Sequence, residues 1–156
     1  MLRIFNEKVV TALMIFSSQQ PTNSSAVIND TRSFIEIILK LWKILNVKHP
    51  LKGRNLRDRD CDPIRSVNDE RLLFLHRFVE WLDIWEAMGD KHRAGLLTRE
   101  TMSALRHTLK TMILLCKHRM EKLFFKYVLL GKLQTDSLNI ISLNTEDYLV
   151  QTTMCL

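Results

Sequence analysis

Glycine and proline are scarce in this chain, 4 and 3 among 156 residues. That scarcity argues against a sandwich of strands joined by many tight turns, and for helices. No apolar run reaches the roughly 18 residues that a membrane-spanning helix needs. The three cysteines, Cys61, Cys116 and Cys155, are odd in number and lie far apart. No CxxC occurs, which leaves neither a disulfide framework nor a zinc knuckle, and ordinary thiols in a reducing compartment fit best. His49, His76, His92, His107 and His118 never pair at metal-motif spacing. There is no GxSxG, no P-loop and no HExxH.

What is present is apolar and basic. Hydrophobic residues make up 46%, so general disorder is excluded. The net charge is +6 and the pI near 9.4, which suits a polyanionic partner without requiring one. "VVTALMIF" (9 to 16) follows Arg3 and Lys8 like the core of a secretory signal. Glu7 beside it and the poor cleavage site "SSQQP" argue against that reading. Asn23 and Asn29 open formal glycosylation sequons, a pattern that is common by chance.

Apolar periodicity predicts four long helices. Residues 3 to 17 form the first, with Ile4, Val9, Val10, Leu13 and Phe16 inward. "SSQQPTNSS" should be a loop, after which Asn29, Asp30 or Thr31 caps a helix over 31 to 46. Phe34, Ile38, Leu41, Trp42 and Leu45 mark its buried side, widened by Ile35, Ile37 and Ile44. Residues 47 to 67 carry two prolines, a glycine and many charges, and read as a long loop. Asn68 or Asp69 caps the third helix, 70 to 88, which Gly89 should end. Residues 99 to about 121 make the fourth. "LFFKYVLL" (123 to 130) reads as an extended segment or as a continuation of that helix. Gly131 should stop a helix, and Thr135, Asp136 or Ser137 should cap another. The fold class expected is mainly α, with a short extended segment and a final short helix. Trp42, Trp81 and Trp85 lie in strongly apolar helices and are expected in the core.

Two basic clusters are the candidates for binding. In the loop, Lys48, Lys52, Arg54, Arg57, Arg59 and Arg65 outnumber Asp58, Asp60 and Asp62. Over 99 to 132, eight basic residues stand against Glu100 and Glu121. Arg106, Lys110, Lys117 and Lys122 are the candidates there. Phosphate is the natural target, and the competing reading is an ordinary solvated helix face. Asp58, Asp60, Asp62 and Asp69 resemble a calcium loop in spacing. Pro63 stands where that loop needs glycine, and Asp69 where it needs glutamate, so no metal site is assigned.

Four stretches in order, "FIEIILKLWKILNVKHPLKGRNLRD" (34 to 58), "LLFLHRFVEWLDIW" (72 to 85), "GLLTRETMSALRHTLKTMILLCKH" (95 to 118) and "FKYVLLGKLQTDSL" (125 to 138), resemble the C-terminal half of P-element-type transposases. That family includes members with an N-terminal THAP finger. "FNEKVVTALMIFSS" (5 to 18) resembles the segment that follows the family's catalytic middle. The resemblance implies residues 1–124 from a helical GTP-binding insertion domain. It implies residues 125–156 from the return to an RNase H-like catalytic domain. It further implies Mg2+ and GTP as the family's cofactors and a nuclear location. The family's third metal-binding acid lies in a "QTDxLE" segment. Gln134, Thr135, Asp136, Ser137 and Leu138 match it, and Asn139 stands where the glutamate is expected. An amide is a far weaker ligand for a hard cation than a carboxylate. The other two acids are expected upstream of Met1. The expectation is therefore a transposase-derived chain that does not cut DNA alone and needs no cofactor itself. It has no catalytic residue, binds DNA weakly and without sequence preference, and takes a full-length transposase as a possible partner. The alternatives are a co-opted basic helical module and a secreted helical protein glycosylated at Asn23 and Asn29.

Overall fold

The computed structural model describes residues 5–88 and 97–133. Five helices account for most of them: α1 (Glu7–Ser18), α2 (Thr22–Leu45), α3 (Lys52–Leu56), α4 (Glu70–Met88) and α5 (Arg99–Glu121). The mainly α reading holds. Two 3-10 turns, Arg59–Cys61 and Leu130–Lys132, complete the regular structure.

α1 and α2 pack as one hairpin, α4 and α5 as another. Asn6, not an earlier residue, starts α1, its side chain accepting from the Val9 amide at 3.0 Å. The loop expected over "SSQQPTNSS" is much shorter, and α2 begins at Thr22, well before the expected Thr31. Pro21 caps it, with its carbonyl accepting from the Ser25 amide at 3.1 Å. Proline has no amide hydrogen to donate, and the start of a helix needs none. Thr31 does not cap; its hydroxyl bonds back to the Val27 carbonyl within the helix. The Asn29 amide likewise reaches Ser25 within α2, so that sequon lies on a helix and not on a loop.

The buried side of α2 is Ile35, Leu39, Leu41 and Ile44. Trp42 is 48% exposed and Phe16 51% exposed, contrary to their expected burial. Trp42 keeps the spacing of three from Leu39, so periodicity alone does not reveal its exposure. Trp81 and Trp85 are half-buried and join Phe34 and Phe78 in a cluster whose ring centroids lie 4.9 to 6.4 Å apart. That cluster fastens α2 to α4.

One apolar cluster joins α2, α4, α5 and the connections beside them. It unites Leu41 and Ile44 of α2, Leu75 and Leu82 of α4, Leu109 and Cys116 of α5, and Ile64, Val128 and Leu130 from the connections. Residues on both sides of position 124 thus share one core.

The segment 47 to 67 is not a bare loop. It holds α3 and a 3-10 turn, and Cys61, Pro63 and Ile64 are buried. Gly53 is required there, because a Cβ at that position would lie 2.7 Å from the Asp62 nitrogen.

Beyond α5 the chain turns out of the helix and does not prolong it. Phe124 takes the left-handed conformation at φ 53°, and the Phe125 amide reaches back to the Arg119 carbonyl at 3.1 Å. The segment then runs antiparallel to Ile64, where Val128 and Ile64 exchange backbone bonds of 2.8 and 3.0 Å. Gly131 ends no helix, since α5 has already stopped at Glu121. Its amide donates to the Val47 carbonyl at 3.0 Å, and a Cβ there would meet the Asn46 and Val47 backbone at 3.0 Å. The helix expected from Thr135 lies outside the described residues, as do Asn139 and Gly89.

Candidate nucleic-acid interface

The loop's acids are engaged by α2. Asp58 meets Lys43 at 2.9 Å and Asp60 lies 3.7 Å from Lys40. Lys43 also holds Glu7 at 2.6 Å, and these bonds keep its ammonium protonated well above the usual range. Burial opposes ionisation of Asp58, yet the Lys43 bond leaves its carboxyl below the usual value. Asp69 caps α4 through the Arg71 amide at 3.0 Å and pairs with the Arg71 guanidinium at 2.6 Å. Arg71 also donates to the carbonyls of Arg59 (3.0 Å), Asp62 and Pro63 (2.8 Å). One half-buried guanidinium thus gathers the turn that precedes α4. No sequence pattern announced that role: "DERL" reads as any capped helix start.

What these pairings leave over is positive. Arg54, Arg57 and Arg59 are exposed, and no described carboxylate pairs with them. Arg57 closes α3 in the left-handed conformation at φ 52°. Lys52 is partly engaged, donating to the Asn46 carbonyl at 2.9 Å. Lys48 packs beside Gly131, where an added Cβ would lie 2.8 Å from its Cγ.

The α5 face divides. Arg106 bridges to α4, pairing with Asp83 at 2.6 Å and with Glu86. The Glu86 bond raises its already high pKa. Its charge is therefore met within the hairpin. Lys110 and Lys122 are exposed and Lys117 is half-buried.

A second set of cations gathers where the chain leaves α5. Arg119 lies over the Phe125 ring at 5.6 Å, and Arg65 over the Tyr127 ring at 5.7 Å. Arg119, Lys126 and Lys132 border a shallow groove of about 400 Å3 that Val128 and Leu129 also line. In the sequence these charges are visible only as a count, not as a group. The signal that could have joined them is the interleaving of basic and aromatic residues in "RMEKLFFKY".

Among the described residues, no three metal-ligating side chains converge. Asp58, Asp60 and Asp69, read in the sequence as part of a calcium-like spacing, are each paired with a cation. No described helix is long and apolar enough to cross a membrane. Comparison with known proteins adds no relative: no family model, curated protein or solved structure matches the chain.

Proposed function

We propose that this chain is a transposase-derived helical module that holds nucleic-acid backbone without cutting it. The observation that carries the binding is the set of surplus cations, Arg54, Arg57 and Arg59, left exposed while Lys40 and Lys43 occupy the neighbouring acids. Exposed guanidiniums can displace the counterions condensed on phosphate, which gives affinity without sequence preference. The transposase origin rests on the order of the four stretches that resemble P-element-type enzymes. Lack of cutting follows from Asn139 at the expected glutamate position.

The test is duplex binding measured against salt. Replacing Arg54, Arg57 and Arg59 by glutamine lowers the slope of log affinity on log salt by about 0.9 for each phosphate no longer neutralised. An unchanged slope, or no binding at low salt, removes the reading. The purified chain shows no magnesium- or manganese-dependent strand cleavage, and Asn139→Glu does not create it. Cleavage by either protein contradicts the proposal.

A second reading concerns a protein partner. Leu73, Ile84 and Leu114, on α4 and α5, are each at least 50% exposed. Such apolar residues suit docking against the rest of a transposase.

A further inference from the structure

Phe124 combines two costs that a folded chain normally avoids. Its backbone is left-handed, a conformation unfavourable for a bulky side chain. The residue is 83% exposed, and Leu123, Phe125 and Tyr127 of the same segment are exposed too. Glycine would remove both costs. Strain kept at an exposed aromatic points to a use for the ring.

The surroundings identify the ligand. Arg119 lies over the Phe125 ring and Arg65 over the Tyr127 ring, and Arg119, Lys126 and Lys132 border the groove beside them. No acidic side chain lines the groove. The scaffold is fixed by the Ile64 and Val128 exchange and by the bond from Phe125 to Arg119, so little ordering remains at binding. We infer that Phe124, Phe125 and Tyr127, with Arg65, Arg119 and Lys126, form a stacking platform for single-stranded DNA. Unpaired bases lie against the rings, and the cations take the phosphates. A duplex keeps its base faces stacked and cannot use the rings. This deepens the proposed function, and the choice of DNA over RNA rests on that reading.

The experiment is fluorescence anisotropy at low salt with labelled oligo-dT, oligo-rU and a duplex of equal length. Oligo-dT binds more tightly than duplex. Phe124→Ala weakens oligo-dT binding about tenfold and leaves duplex binding unchanged. Phe124→Trp keeps the oligo-dT affinity, since an indole also stacks. Thermal melts show both variants folded, because so exposed a ring packs against little of the fold.

Equal oligo-dT affinity in Phe124→Ala overturns the platform. So does duplex bound as tightly as oligo-dT, even where the salt slope still tracks Arg54, Arg57 and Arg59; that outcome spares the broader reading. Preference for oligo-rU overturns the assignment to DNA. Sedimentation showing a dimer that Phe124→Ala dissociates and oligo-dT does not would give the rings to a second copy instead.

Discussion

Two connections meet at the Ile64 and Val128 bridge and treat their polar groups in opposite ways. The turn before α4 folds inward. Asp58, Asp60 and Asp69 are matched to cations, and Arg71 takes three backbone carbonyls. The segment after α5 faces outward. Its rings lie under cations from neighbouring elements, Arg65 of the turn before α4 and Arg119 of α5, and its most exposed aromatic, Phe124, has a left-handed backbone. Cations thus serve stability in the turn before α4, and around the segment after α5 we propose that they serve a ligand. The difference lies in whether a carboxylate or carbonyl stands within reach.

Arg71→Ala is the largest break in this comparison. It leaves Asp69 half-buried without its cation and three carbonyls without a donor. It should cost about 3 kcal/mol in urea denaturation. Arg71→Lys should recover only part, because a single ammonium cannot reproduce the planar fork. Gly131→Ala comes next, at about 2 kcal/mol, since the added methyl presses on the Asn46 and Val47 backbone. Phe124→Gly has the opposite sign. It relieves the left-handed strain and should stabilise by about 1 kcal/mol while weakening oligo-dT binding. Loss of stability in that variant would show that the ring packs against the fold.

Acid sharpens the contrast further. Burial opposes ionisation of Asp69 and Asp58, but hydrogen bonds from Arg71 and Lys43 leave both carboxyls below their usual range. A lowered folded pKa adds stability above the unfolded value, near 4, and loses it as the pH falls through the folded value. The melting temperature should therefore drop on acidification below about pH 4, and Asp69→Asn should flatten that limb. The smallest effect concerns Cys116, whose thiol burial pushes up to about 11. It should resist alkylation at neutral pH until the protein unfolds, as peptide mass spectrometry would show.

The long helices were legible because their apolar spacing repeats over several turns. α4 and α5 match the expected 70 to 88 and 99 to about 121. Their buried faces match too, through Leu75, Leu82, Leu109 and Cys116. The start of α2 was not legible. "PTNSSAVIND" has loop-like composition, and packing against α1 overrides local propensity. Trp42 misled because periodicity fixes a stripe but not its edges. For the candidate interface, the basic residues were legible as charge alone. Arg106 belongs to an α4 ion pair and Arg65 to Tyr127, and both facts depend on contacts between distant parts of the chain. Phe124 was least legible, since a glycine position filled by phenylalanine leaves no mark in the sequence.

Photocrosslinking of bromodeoxyuridine-substituted single-stranded DNA, followed by trypsin, locates the bound strand directly. Cleavage after Lys122, Lys126 and Lys132 isolates "LFFK" and "YVLLGK", which carry all three rings. If the rings form the platform, adducts concentrate on these two peptides and fall in Phe124→Ala. Adducts concentrated on α1 and α2, with "LFFK" and "YVLLGK" unmodified, would contradict it.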